Sequence, residues 1–346
     1  MPLVRIALDL MGGDDAPVAV IGGARLALER HPDLGLVLLG RPEACRAAAA
    51  QLPDRARVEL VECDEVITND EAPSLAARRK KDSSIVAGMR RVKAGGAEAF
   101  VSCGPTGALM AAGLFAFGRL PGVRRPALGS PFPNLAEPGR WWMMLDIGAT
   151  MDAAAADLYT QAVIGSVYSS LVLGVERPRV ALLNVGTEPA KGNEVVRAAH
   201  QMLEATDLNF IGNVEARDIY AGPADVVVTD GFVGNVLLKG MEGLVYGIGG
   251  AIRDQLRSDA RGRLGGLIAR PHLRRALKRL DYTEYGGAPL FGLAGGCIKC
   301  HGASDELAVA GGLGVARDFV AKGVLAAMQG ALAEAPPSPA PGGQKN

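Results

Sequence analysis

The chain has 346 residues, 49% of them hydrophobic, which is enough for a large core built as one α/β unit or two lobes. Its 37 Lys and Arg balance 37 Asp and Glu, so it lacks the basic excess of a nucleic-acid binder. No apolar run reaches the roughly 18 residues of a membrane span. The start, MPLVRIALDLMGG, also lacks a signal peptide's charged and apolar regions, and the expected location is the cytoplasmic side.

The first predicted strand covers residues 4–8 and empties into Asp9 and the loop MGGDDAP, with Gly12 and Gly13. Strands follow at 36–39 and 58–61, and another at 99–101 leads into SCGPTGALM, which contains Thr106 and Gly107. A strand at 142–145 precedes the longest helical stretch, 153–173. Residues 180–183 then form a buried-strand run, followed by GTEPAKGNE with Gly186, Lys191 and Asn193, and by a helix over 194–203. A strand at 209–211 comes next. The run Val226, Val227 and Val228 reads as a strand buried on both faces, broken by Asp230 and Gly231 as a helix begins. Gly234 lies in that helix, and Asn235 and Lys239, four apart, share one of its faces. From 253 to 279, nine Arg or Lys stand against Asp254 and Asp259, a net charge of +7, and leucines are interspersed. Pro271 predicts two short helices with a bend there. A strand at 297–300 delivers His301, a helix over 304–329 closes the fold, and the Pro/Gly-rich tail, 334–346, is expected to be disordered.

One glycine turn after one strand is ordinary packing. Here four strand ends carry glycine with polar or charged groups, and in α/β folds ligands bind at the carboxyl edge of the sheet, where helix N-termini attract anions. The pattern predicts one shared anion site. The five cysteines, 45, 63, 103, 297 and 300, make a poor disulfide framework and fit a reducing compartment. C-I-K-C-H at 297–301 matches a haem-attachment signature, but that chemistry needs export, and a zinc site would need a second pair of similar spacing. The segment reads instead as a strand that carries His301 to the site.

These loops, together with RRKKDSS (78–84), RLPGVRRPAL (119–128), LDIGATMD (145–152), NFIGNVEARDI (209–219), DYTEYGGAPLFGL (281–293) and HGASD (301–305), resemble the bacterial phosphate acyltransferases of phospholipid synthesis over nearly the whole chain. The resemblance implies a three-layer αβα fold with a mostly parallel sheet, like those of isocitrate and isopropylmalate dehydrogenases and phosphotransacetylase. It implies one large catalytic unit over 1–333, with a helical hairpin at 250–280. It further implies transfer of a fatty acyl group from acyl carrier protein to inorganic phosphate, a homodimer, no cofactor or metal, and loose attachment to the cytoplasmic membrane face. Three positions depart from the pattern: Asp15 where a His is usual, and Pro105 and Thr150 where Asn is usual. These changes put the roles of those positions in question.

Phosphate is already an anion at neutral pH, so attack on a thioester requires holding and aiming more than a strong base. Lys191 and Lys239 are the expected cations, Asn193 and Asn235 neutral donors, and His301 a donor to the oxyanion or the leaving sulfur. Gly12, Gly13, Gly107, Gly186, Gly231 and Gly234 are expected to shape the cradle, with Thr106 adding a hydroxyl. Asp230 and Asp9 are expected to orient other groups. A covalent route through Cys103 is the mechanistic alternative. The alternative functions are a nicotinamide-linked decarboxylating dehydrogenase, which lacks its G-x-G-x-x-G turn after the first strand, and a non-catalytic membrane scaffold, which leaves the glycine loops without a purpose. Basic and apolar residues mixed over 253–279 suit an anionic membrane surface or an acidic carrier protein.

Overall fold

The computed structural model describes residues 3–52, 54–278 and 285–334. The tail expected to be disordered lies outside these residues except for Glu334, as do residues 281–284 of the DYTEYGGAPLFGL motif. In chain order the elements begin with β1 (Val4–Asp9), α1 (Val18–Arg30), β2 (Leu34–Gly40), α2 (Pro42–Gln51), β3 (Val58–Glu62), α3 (Pro73–Arg79) and α4 (Ser84–Lys93). There follow β4 (Ala99–Ser102), α5 (Thr106–Ala116), β5 (Ala127–Pro133), β6 (Trp141–Leu145), α6 (Ala155–Leu171), β7 (Val180–Asn184), α7 (Glu194–Glu204) and β8 (Phe210–Glu215). The chain continues through β9 (Val226–Val228), α8 (Gly231–Arg257), α9 (Ala260–Lys278), β10 (Ala288–Phe291), β11 (Gly296–Lys299), α10 (Glu306–Ala321) and α11 (Val324–Glu334).

The strands form one continuous sheet in the order β3-β2-β1-β4-β11-β10-β5-β6-β9-β7-β8. The pleat sends alternate residues to opposite faces, and both faces are buried. Ile6, Leu8, Leu36, Leu38, Val226 and Val228 enter one core, while Ala7, Val37, Leu39 and Val227 enter the other. This explains the unbroken apolar runs, which are the mark of a sheet covered by helices on both sides. On one face α1 and α10 pack at glycine distance: a Cβ on Gly23 would lie 2.5 Å from Cβ of Val309. That contact ties the C-terminal helices to the first strands.

Strand direction is what positions the site. β3, β2, β1, β4 and β11 run parallel to one another, as do β6, β9, β7 and β8. Between the two groups, β10 is antiparallel to β11 and to β5, and β5 is antiparallel to β6. Three successive reversals make the two parallel groups run in opposite directions, so their carboxyl ends open on opposite edges of the sheet.

Sequence pattern alone misses both β5 and β10. β5 is ALGSPFP and β10 is APLF, and proline cannot donate to a ladder, so each reads as a loop. β5 accommodates its prolines because it pairs with β10 only through Leu128 and Ala127, leaving Pro131 and Pro133 paired on the β6 side alone. Two helical boundaries also differ from expectation. The helix expected over 304–329 is two helices, broken at Lys322 and at Gly323, whose φ of +62° suits glycine. The bend expected at Pro271 lies instead at Ser258 and Asp259, where Oδ1 of Asp259 caps α9 through N–H of Gly262 at 2.5 Å, and α9 runs on through Pro271.

Candidate active site

At the first edge one buried acid knits the loops after β1 and β4 together. Asp9, at the end of β1, is 1% exposed. Its Oδ2 accepts from Ser102 Oγ at 2.6 Å and its Oδ1 from the Met11 amide at 2.9 Å. Ser102 Oγ in turn accepts from the Gly104 amide at 2.8 Å. Burial pushes the Asp9 carboxyl above its ordinary pKa, against the pull of hydrogen bonds from Ser102, Ser84 and the Met11 and Gly12 amides. It holds the Met11 amide and, through Ser102, the Gly104 amide in place. Gly12 has no alternative, since a Cβ there would lie 2.5 Å from the Gly104 nitrogen and 2.6 Å from Asp9 Oδ2. Gly13 holds φ at +105° over Cys103 and the Gly302 carbonyl, and the Asp14 amide donates to that carbonyl at 2.8 Å. The ends of β1, β4 and β11 thus form one surface.

His301 stands on that surface. Its Nδ1 accepts from the Ala303 amide at 3.2 Å, which places the neutral ring's proton on Nε2. Desolvation, then the charges of Lys239 and Lys299, hold its pKa below the ordinary 6.5. It is therefore a neutral N–H donor at pH 7. A cavity of about 2120 Å³ opens beside it, walled by α8 and α9 and lined by Phe132, Tyr220, Lys239, Met241 and Leu307 among others. Lys239 is already paired there with Glu242 at 2.8 Å. Thr106 begins α5 on the same edge. Its neighbour Gly107 is small for packing, because a Cβ would meet Pro73 Cγ at 2.7 Å.

The second edge has its own organiser. Asp146, after β6, accepts from the amides of Leu128, Gly148, Ala149 and Thr150 at 2.7 to 3.0 Å. Gly231 and Gly234 let α8 press onto this loop; a Cβ on Gly234 would lie 1.9 Å from the Asp146 carbonyl oxygen. Asp230 caps α8 by accepting from the Val233 amide at 2.8 Å, and Asn235 faces Gly148 one turn further on. After β7, Gly186 packs against the Lys191 side chain, which is exposed. The Asn213 amide anchors this loop at the Glu188 carbonyl, 2.8 Å away.

The single site expected from four strand ends is therefore two groups in one chain. Gly12, Gly13, Thr106, Gly107 and His301 share the first edge, and Gly186, Lys191, Asn193, Asp230, Gly231, Gly234 and Asn235 share the second. The reversals at β10 and β5 separate them, and Lys239 reaches toward the first edge from α8, about 12 Å of helix beyond Gly231. Asn193, expected as a donor, uses its Oδ1 to cap α7 through the Val196 amide at 2.9 Å. Cys103 is buried, covered by Gly13, and lies in hydrogen-bond contact with Cys300, which lowers its thiol pKa. Of the departing positions, Thr150 donates to the Pro126 carbonyl at 2.8 Å, Pro105 precedes α5 without a side-chain cap, and Asp15 is exposed. Sequence reading passed over Lys299, whose signal was a cation inside a strand otherwise buried, G-C-I-K.

Residues 4–327 match the family model described as fatty acid synthesis protein. The chain belongs to this family. It is 49% identical over 329 residues to the phosphate acyltransferase of Heliobacterium modesticaldum, covering 94% of this chain and 97% of that one. It is 45% identical over 322 residues to the phosphate acyltransferase of Bacillus cereus, covering 93% and 96%. Among solved structures it resembles the EutD phosphotransacetylase of Staphylococcus aureus, with a TM-score of 0.56, 19% identity and 94% of each chain covered. It also resembles a phosphotransacetylase of Streptococcus pyogenes, with a TM-score of 0.57, 18% identity and the same coverage. At those identities the structures establish likeness of fold, a mostly parallel α/β sheet.

A neutral His301 has a consequence for titration. In an NMR pH titration its ring is expected to protonate with a midpoint below 6.5. The folded protein resists that protonation, so its stability should decline as pH falls from 6.5 toward the folded midpoint. A midpoint at or above 6.5 would remove the neutral donor from the site.

Proposed function

We propose that this chain is a phosphate acyltransferase that moves a fatty acyl group from an acyl carrier protein thioester to inorganic phosphate. The observation that carries the reading is near-full-length identity to named phosphate acyltransferases, combined with an edge of glycine loops and a neutral histidine donor beside a large, partly apolar cavity. A phosphate oxygen attacks the thioester carbonyl carbon. As the C–O bond forms, His301 Nε2–H donates to the developing oxyanion. When the tetrahedral centre collapses the C–S bond breaks, and sulfur leaves with its electron pair as a thiolate needing little protonation. The dehydrogenase and scaffold readings find no support among the named relatives.

The reaction is tested by trapping acyl phosphate with hydroxylamine from a long-chain acyl carrier protein thioester. Product is expected only when inorganic phosphate is present. Product that forms equally without phosphate, or no product from folded protein, would sink the reading.

The working unit is a homodimer in which the second edge of one chain, bearing Lys191 and Asn235, completes the first edge of its partner, bearing His301. Exposed apolar residues around the second edge support this: Val185 is 79% exposed, Phe232 62% and Val236 59%. Lys191→Ala and His301→Ala proteins should each be inactive. Mixed and reassociated, they should regain activity, since a mixed dimer then holds one intact composite site. Two inactive parents that stay inactive when shown to exchange subunits would place each site within one chain.

The hairpin of α8 and α9 attaches the enzyme peripherally to an anionic membrane surface on the cytoplasmic side. Its +7 charge and the exposure of Leu267 at 67% and Ile268 at 70% support this. Among the described residues no helix is long and apolar enough to cross a membrane. Cosedimentation with vesicles containing phosphatidylglycerol should weaken with salt and be lost in the double variant Leu267→Glu, Ile268→Glu. Unchanged vesicle binding by that variant would reject the membrane role and leave carrier docking as the use of this charge.

A further inference from the structure

Three lysines come into question as the cation that holds an anion at these loops. Lys239 already has a carboxylate partner in Glu242 at 2.8 Å, and Lys191, exposed on the opposite edge of its own chain, meets these loops only across the proposed dimer. The third, Lys299, ends β11 in register with Ser102 of β4, whose hydroxyl donates to Asp9. Its ammonium donates to the Cys103 carbonyl at 3.4 Å and to the Cys300 carbonyl. The acid that acts on it from the loop is Asp14. Burial lowers its pKa, and Cys300, Cys103, Cys297 and Asp14 pull in the other direction. A half-buried cation whose hydrogen bonds, among the described residues, go to carbonyl oxygens is one that an anion stabilises strongly, because little water is left to do so.

The Cys103 carbonyl that Lys299 contacts lies three residues before the first residue of α5. Helices α4, α7, α8 and α10 are each capped by a side chain, from Ser83, Asn193, Asp230 and Asp305 respectively. On α8 that cap is itself a carboxylate, so the positive end of the helix already faces an anion. α5 starts after Pro105 with no side-chain cap, and offers its first-turn amides and the Thr106 hydroxyl on the same edge as Lys299. A further group points to a ligand. Ser304 is 9% exposed and lines the cavity beside His301; among the described residues its Oγ makes no hydrogen bond to nitrogen or oxygen, and the group it meets is the Cys103 thiol, beside Lys299.

We propose that Lys299 is the cation that binds the phosphate nucleophile, which sits over the first turn of α5 with Thr106 and Ser304 as hydroxyl partners. This rests on the phosphate acyltransferase reading and assigns the nucleophile's position within it. Phosphate held there lies on the same edge as His301, so attack and oxyanion stabilisation come from one surface. Lys191 and Asn235 then serve the acyl donor rather than phosphate.

The test uses the wild-type protein and inorganic phosphate. Trace acetylation with acetic anhydride, read by peptide mass spectrometry, reports the reactivity of each lysine. At phosphate ten times its Kd, mass action leaves about a tenth of the sites open, so labelling of Lys299 should fall roughly tenfold while Lys191 and Lys239 are unchanged. Protection of Lys191 or Lys239 with Lys299 unprotected overturns the proposal, and so does protection of no lysine. As a second measurement, Lys299→Met should raise KM for phosphate at least tenfold with little change in KM for the acyl carrier thioester, and Lys299→Arg should recover part of the loss. An unchanged KM for phosphate in folded Lys299→Met overturns it as well. If the wild type makes no phosphate-dependent acyl phosphate, the function itself fails, which is a separate result from a functioning enzyme whose Lys299 ignores phosphate.

Discussion

The antiparallel pair β10 and β5 is the constraint on which the rest depends. A parallel sheet has one carboxyl edge, and every loop that follows a strand opens there. Inserting strands that reverse direction gives one continuous sheet two carboxyl edges facing opposite ways. Each edge carries its own glycine loops, so the molecule has two half-sites where a simple sheet would have one. The proposed homodimer makes use of that geometry, because a twofold axis would bring unlike edges of identical chains together.

The two edges solve the same local problem in the same way. Glycine loops that must present amides outward need something to hold them from behind. At the first edge Asp9, through Ser102, gathers the β1 and β4 loops; at the second, Asp146 accepts four amides of its own loop and of β5. Both carboxyls are buried and both have raised pKa values, with desolvation as the leading cause. A buried carboxylate surrounded by N–H donors is rigid, since losing any donor leaves an unsatisfied charge. Neither acid touches the cavity, and each fixes the shape of the loop that does.

Much of this was legible in the chain. Continuous runs such as VVV and VALLN declared strands buried on both faces, and the glycines that follow them declared tight loops. Asp230 and Gly231 were readable as the break where a helix begins, though not Asp230 as its cap. What the pattern could not carry was direction. Whether β6 runs with or against β4 depends on β5 and β10, whose prolines disguise them as loops. Sequence reading therefore placed Lys191, Asn235 and His301 in one site, though sheet topology sets them apart within one chain. Lys299 was hidden for a related reason, since its strand motif also fits a haem signature and drew attention to the cysteines beside it. Pro271 misled because a proline inside a helix, which removes one ladder hydrogen bond and crowds the carbonyl four residues before it, does not have to end that helix.

α8 connects the chemistry to the surface. It begins at the second edge, where Gly231 and Gly234 bury its first turn, passes the cavity at Lys239, and extends 27 residues, about 40 Å, into the basic hairpin. Only Gly231, Gly234 and Leu238 of this helix are buried, so beyond its first turns it is held by α9 and by little of the body. An element anchored so firmly at one end and so lightly along the rest can carry a load at its far end without disturbing the loops. A fatty acyl product favours an apolar environment over water, at about 0.8 kcal/mol per methylene. On the proposed membrane attachment, a cavity that opens beside the basic, leucine-bearing α9 would give such a product a short path from the site to lipid. The exposed apolar residues on α8 and α9, which have no role in the core, fit that path.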